Sequence, residues 1–180
     1  MPFLRNAWYA AAWGREVGRS MLARRILDEP ILMFRREDGV AIALADRCAH
    51  RFAPLSMGRL RGDIVECRYH GLRFDGAGVC VHSPHGDGAI PKAARVRAYP
   101  LVEKYGALWI WMGEPEGADA SRIPDFSFLV DAEKYTTVTA TSRFLANYEL
   151  ITDNLMDVSH VSYLHAESFG VTDIAPSEME

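Results

Sequence analysis

Residues 48–71 read CAHRFAPLSMGRLRGDIVECRYHG and hold two of the chain's three cysteines. The first pair is Cys-x-His, Cys48 and His50. The second is Cys-x-x-His, Cys67 and His70, and sixteen residues separate the two. Each pair follows a β-like run and enters a turn-forming stretch, Ala53-Pro54 in one case and Gly71 in the other. Two hairpin tips that bring thiols and imidazoles towards each other make an arrangement that metals require.

A Cys₂His₂ set satisfies tetrahedral zinc, but zinc pairs usually have two to four residues between ligands, and Cys-x-His has one. One intervening residue suits a site in which Cys and His reach different metal atoms. In a Rieske [2Fe–2S] centre, one iron takes two thiolates and the other two imidazoles. On that reading Cys48 and Cys67 hold one iron, and His50 and His70 the other. Cys80, His82 and His85 also cluster, in VCVHSPHGDG. They read as a buried strand thiol and two loop histidines, since a metal there would need a fourth ligand and Asp87 is the only obvious candidate.

The remaining composition sets outer bounds. A chain of 180 residues, 49% hydrophobic and 24% charged, has room for one sizeable domain or for a small one plus part of another. A net charge of −4 gives no basic footprint for nucleic acid. No apolar run approaches the ~18 residues of a membrane span. The start, MPFLRNAWYAAAW, lacks the continuous apolar stretch of a signal peptide. With so few cysteines, a cytoplasmic, reducing setting is expected.

The chain has two textures. From Leu27 to Met112, short β-like runs alternate with turn signals: ILMFRRE and VAIALAD around Asp38-Gly39, LRFD and VCVH around Gly76-Ala77-Gly78, RVRAYPLVEK and ALWIWMG around Tyr105-Gly106. These predict hairpins in an all-β domain of small antiparallel sheets. Residues 113–126, GEPEGADASRIPDF, read as a linker. Beyond it KYTTVTATS is strand-like, and ANYELITDNLMDVSHVSYLH places Tyr148, Ile151, Leu155 and Val158 at the spacing of an amphipathic helix.

That last segment holds a second set of candidates: Asn154, Asp157, His160 and His165. Histidines five residues apart lie about 140° apart on an ideal helix. A regular helix would not aim both at one point; one that ends or loosens near Val161–Tyr163 could.

The stretches CAHRFAPL and CRYHGLRFD resemble the two ligand loops of the Rieske non-haem iron oxygenases. Rieske proteins of respiratory complexes generally carry a further cysteine in each loop, and those are absent here. The pattern Asn-x-x-Asp-x-x-His-x-x-x-x-His resembles the start of the mononuclear iron site in the α-subunits of these oxygenases. RNAWYAAAW, HRFAPLSMG and NYELITDNLMDVSHVSYLH are similar to the branch of vanillate O-demethylase and the dicamba and toluenesulfonate monooxygenases.

The resemblance implies the following. An all-β Rieske [2Fe–2S] domain with two ligand-bearing hairpin loops occupies residues 1–115, and residues 116–180 form a linker and the opening of an incomplete α+β catalytic domain. His160 and His165 ligate a mononuclear Fe(II). Asp157 bridges that iron to the Rieske centre of a neighbouring subunit, and Asn154 is a polar residue beside it. The third ligand lies beyond Glu180; Glu167 and Asp173 are nearby carboxylates to which the motif gives no role. The implied activity is a monooxygenase that demethylates or hydroxylates an aromatic acid, working as a homotrimer fed by a flavin/iron–sulfur reductase or ferredoxin. The 180 residues alone would then turn over no substrate. A stand-alone Rieske ferredoxin is the rival, and it would need nothing after about residue 115.

Overall fold

The computed structural model describes residues 3–165 and residue 167. Two compact units meet at Thr137 and Val138.

The first unit is built from three antiparallel sheets. β1 (Trp8–Trp13), β11 (Ala107–Trp111) and β10 (Leu101–Lys104) form one, in that order. β2 (Leu22–Ile26), β3 (Glu29–Arg35), β4 (Ala41–Ala45) and β9 (Ala98–Tyr99) form the second. β5 (Arg59–Arg61), β6 (Ile64–Glu66), β7 (Arg73–Phe74) and β8 (Cys80–His82) form the third, which carries the paired Cys and His residues at its ends. The hairpins expected around Asp38-Gly39, Gly76–Gly78 and Tyr105-Gly106 all form.

The apolar run Ile31-Leu32-Met33-Phe34 explains how the layers are joined. Side chains alternate across a strand, so a strand buried on both faces must be apolar throughout. Leu32 and Phe34 enter a core with Leu44, Leu55, Val65, Phe74 and the three cysteines. Ile31 and Met33 enter a second core with Leu108, Ile110 and Met112. β3 therefore serves as the wall between the base of the unit and the end that carries the ligand loops. Arg19 adds a polar tie at the edge, donating to Asp63 at 2.7 Å and to the Gly62 carbonyl at 2.6 Å in the β5–β6 turn.

Two expectations change in the structure. RVRAYPLVEK is not one strand. Pro100 has no N–H to donate to a ladder, and the chain switches sheets there: Ala98 and Tyr99 pair with β4, Leu101–Lys104 with β11. Residues 113–126 do not hang free. Trp8 Nε1 donates to the Asp119 carbonyl and Trp111 Nε1 to that of Glu114, both at 2.8 Å. Ile123 is buried, and Phe126 stacks on Trp109 with centroids 5.7 Å apart. The turn-rich composition does produce irregular backbone, but that backbone is anchored against the β1–β11–β10 sheet.

The strand expected in KYTTVTATS, residues 134–142 across the boundary of the two units, does not form. β-Branched residues favour a strand because they fit a pleated surface beside a neighbour, but this stretch is in none of the three sheets. α1 spans Tyr148–Met156, with Asn147 Oδ1 accepting from the Glu149 N–H at 3.0 Å as its N-cap. A 3₁₀ turn, Val158–His160, and α2, Val161–Leu164, follow. The helix breaks at Asp157, earlier than the expected Val161–Tyr163. The cause is local: Asp157 Oδ1 accepts from the N–H and Oγ of Ser159, so it caps a new turn instead of continuing α1.

Candidate metal centre

Cys48 and Cys67 sit at the start of two turns with the same hydrogen bonds. The Cys48 N–H donates to the Ala53 carbonyl, and the Phe52 N–H returns to the Cys48 carbonyl, both at 2.9 Å. In the other loop the Cys67 N–H donates to Leu72 at 2.8 Å, and the Gly71 N–H returns to Cys67 at 3.0 Å. A turn of this shape folds the residues after the cysteine back over it. Gly58 lets the loops come together, because a Cβ there would collide with the Glu66 carbonyl just before Cys67.

The result is two pairs of donors. Both thiols are buried, each 2% exposed, and they contact one another at the top of the core. His50 and His70 stand outward, with ring centroids 4.7 Å apart. Among the described residues no three His, Cys, Asp or Glu side chains converge on one point. A thiol pair beside an imidazole pair is the donor arrangement of a bridged two-iron Rieske centre.

Electrostatics suit a cationic occupant. Burial first, then the adjacent Cys67, push the Cys48 thiol up to about 11, although the backbone N–H groups of His50 and Arg51 donate towards it. A buried thiol pair of this kind becomes thiolate when a positive metal supplies the compensating charge. Burial, together with repulsion from His50, His85 and Arg51, holds the His70 imidazole below its ordinary value, a shift towards the neutral form that a ligand must have. The donor set therefore fits a [2Fe–2S] group with two thiolates and two neutral imidazoles.

The neighbourhood holds residues with no obvious mark in the sequence. Asp46 is the one charged side chain buried among the described residues; it accepts from the Ser56 N–H at 2.7 Å and the Ser56 hydroxyl at 2.6 Å, closing the first loop from below. Tyr69 lies over His70, with centroids 3.9 Å apart. His85 reaches the His70 carbonyl. A cavity of about 370 Å³ lies beside His50, lined also by Ala49, Leu72, Cys80, Ser83 and His85. Cys80 is a buried thiol on β8, as expected, and contacts the His82 carbonyl.

In the second unit the break at Asp157 brings the rings of His160 and His165 to a centroid distance of 5.3 Å. Asp157 Oδ2 lies 3.9 Å from His160 Nδ1, and hydrogen bonds from Ser159, then the charge of His160, hold its carboxyl below the usual value. Asn154 is exposed on α1, one turn before Asp157. Asp173 lies outside the described residues.

Residues 7–100 match the family described as the Rieske [2Fe-2S] domain, more than half of the chain. This chain belongs to the Rieske [2Fe–2S] family. Residues 144–180 match a second family, the vanillate O-demethylase oxygenase C-terminal domain. The Rieske chain is 50% identical over 165 residues to the oxygenase component of dicamba O-demethylase from Stenotrophomonas maltophilia, covering 92% of this chain and 48% of that one. It is 42% identical over 176 residues to the iron–sulfur subunit of a toluene-4-sulfonate monooxygenase system from Comamonas testosteroni, covering 97% and 50%. The crystal structure of dicamba monooxygenase bound to dicamba superimposes with a TM-score of 0.87 over 92% of this chain and 49% of that one, at 50% identity. By sequence it is similar to the oxygenase components of the dicamba, toluenesulfonate and vanillate demethylase branch, and it spans about half the length of the curated relatives it matches. Among the described residues no helix is long and apolar enough to cross a membrane.

Proposed function

We propose that the chain is the electron-receiving part of a Rieske monooxygenase, with residues 1–115 as the cluster domain and 116–180 as a linker and the opening of the catalytic domain. The observation that carries this reading is the pair of matching turns, which gather two buried thiols on one side and two outward imidazoles on the other. Cys48 and Cys67 hold one iron, and His50 and His70 the other. When bound, the cluster supplies one-electron transfer and a mononuclear iron supplies reductive activation of O₂. The thiol end is closed off by Leu55, Val65 and Phe74, which leaves the imidazole edge as the route for electrons from a flavin/iron–sulfur reductase or ferredoxin.

His160 and His165 are the two neutral donors of the mononuclear site, with a carboxylate from further along the protein as the third. The match of residues 144–180 and the approach of the two rings support this over a stand-alone Rieske ferredoxin, which has no use for either. Ser159 orients the Asp157 carboxylate, so it can accept a hydrogen bond from an imidazole N–H. Asn154, a turn earlier on the same helix, is the polar neighbour. The substrate class is an aromatic acid bearing a methoxy or methyl group, and formaldehyde leaves when a methoxy group is attacked. The working form is a cytoplasmic homotrimer.

The test uses the protein with its downstream sequence, NADH, a reductase and methoxylated aromatic acids. Formaldehyde release coupled to NADH consumption is expected, with a loss of at least about a hundredfold in His160→Ala and His165→Ala. Full activity in either variant would remove these residues from the site, and a cluster that exchanges electrons while no aromatic acid is turned over would favour the ferredoxin reading.

A further inference from the structure

We infer that His85 is a positioning residue for the cluster: from a third loop it straps the turn that carries Cys67 and His70 and so sets the placement of His70. The inference rests on the assignment of Cys48, His50, Cys67 and His70 as ligands.

The two ligand turns share their internal hydrogen bonds but are braced from outside in different ways. The first is closed by its own flanks, through Asp46 and Ser56. The second is held by the segment that follows β8. His85 Nε2 lies 2.8 Å from the His70 carbonyl oxygen. A carbonyl only accepts, so Nε2 carries the proton and donates. One residue earlier, the Pro84 ring lies over Gly71, where an added Cβ would sit 3.1 Å from Pro84 Cγ. The His85 ring stands edge-on to that of His70, with centroids 5.9 Å apart. Three contacts from two adjacent residues thus fall on two adjacent residues of the ligand turn.

The His70 carbonyl is the group that needs such a partner. Within the turn the Cys67 carbonyl is taken by Gly71 and the Leu72 carbonyl by Cys67, while the carbonyl of His70 receives His85. Among the described residues the first turn receives no hydrogen bond from this third loop, which faces Ala49 and His50 across the cavity of about 370 Å³. All three cysteines are free thiols, so no covalent bridge restrains either turn. The strap is therefore one-sided. It fixes the peptide and ring of His70 and leaves His50 alone.

Groups that orient a metal's ligands typically change affinity by about 10–100-fold when removed. A donor aimed at the ligand turn also favours the electron-rich reduced state, so its loss lowers the reduction potential. The test takes the whole chain with its cluster and compares wild type with three variants. His85→Phe keeps a ring and removes the donor, His85→Gln keeps an N–H at similar reach, and His85→Asn keeps an N–H on an arm too short for the His70 carbonyl. Bleaching by a chelator, reduction potential and pulsed EPR of the two coordinated nitrogens are measured. In the Phe and Asn variants, bleaching about tenfold faster, a lowered potential and a changed coupling at one of the two nitrogens are expected, with Gln close to wild type. Wild-type values in all three measurements for both Phe and Asn would overturn the inference, as would a Gln variant as impaired as Phe. If Phe fails to fold, the Gln and Asn pair gives the same decision. A wild-type chain without a [2Fe–2S] spectrum would instead overturn the ligand assignment itself.

Discussion

Phe52 and Gly71 occupy the same place in two matching turns, each four residues after its cysteine and each in the left-handed region, at φ 57° and 74°. Glycine adopts this conformation freely; a bulky residue adopts it at a cost of order 1–3 kcal/mol unless its surroundings insist on it. Phe52 is 67% exposed, with the Arg47 guanidinium 5.6 Å from its ring centre, so little packing compensates. The first turn is thus strained and the second is not. Strain of this kind is held by the closing hydrogen bonds of the turn and by Asp46 beneath it.

Exchanging the two residue types should therefore have opposite effects. Gly71→Ala adds strain and presses on Pro84, and is expected to cost about 1–2 kcal/mol. Phe52→Gly relieves strain but frees the unfolded chain, and should fall within about 1 kcal/mol of wild type. Urea midpoints of the two variants measure this. A Gly71→Ala variant as stable as wild type would show that the turn is not held in this conformation.

Phe34 is fully buried on the cluster side of β3. Its truncation to Ala should cost about 3–5 kcal/mol, while Val40→Ala, half-exposed at the β3–β4 turn, should stay within about 0.5 kcal/mol. Denaturant unfolding with both variants at the same cluster occupancy gives the comparison.

Glu29 sets an acid limit. Its burial works against ionisation, but hydrogen bonds from the Tyr99 hydroxyl and Arg5, with the charges of Arg5 and Arg97, outweigh it and hold the carboxyl below its ordinary value of 4.5. Folding then prefers the ionised form, so the contribution is complete above the unfolded value and disappears as pH falls through the folded one. The same carboxylate, after burial, pushes the Tyr99 hydroxyl above its ordinary value of 10.0, so the pair persists well into the alkaline range. Glu29→Gln should be about 1 kcal/mol less stable than wild type near neutrality, and the gap should narrow as pH falls below the ordinary value of 4.5. A gap that stays constant down to about pH 3 would contradict this.

Residues 113–126 are packed on the first unit, so a protease should not find them first. Limited trypsin digestion is expected to cut at Arg143, which is exposed in residues without helix or strand, before Arg122, whose neighbour Ile123 is buried. Early cleavage at Arg122 would show the segment to be a tether after all.

The sheets were legible because the turn signals are strong. Asp38-Gly39, Gly76-Ala77-Gly78 and Tyr105-Gly106 each supply residues that accept a tight turn, and the runs between them are apolar. The ligand pairs were legible because Cys and His at such spacings have few other uses. What the sequence concealed depends on partners distant along the chain. Pro100 marks a change of sheet only once β4 and β11 are both in place. Residues 136–139 have strand-like composition but belong to none of the three sheets. Trp8, Trp109 and Trp111 turn a linker-like stretch into a packed one through contacts that no local pattern announces. His85 looked like an ordinary loop histidine because a hydrogen bond to a backbone carbonyl leaves no mark on composition. Asp46 was equally silent, although a lone acid two residues before a ligand cysteine, with Ser56 after it, is a signal that could have been read.

The most direct measurement is metal and sulfide analysis of the natively expressed chain, with EPR of the reduced form. About two irons and two acid-labile sulfides per chain are expected, with an average g below 2 and a reduction potential between about −150 and +300 mV. A colourless preparation holding stoichiometric zinc and no sulfide would contradict the account.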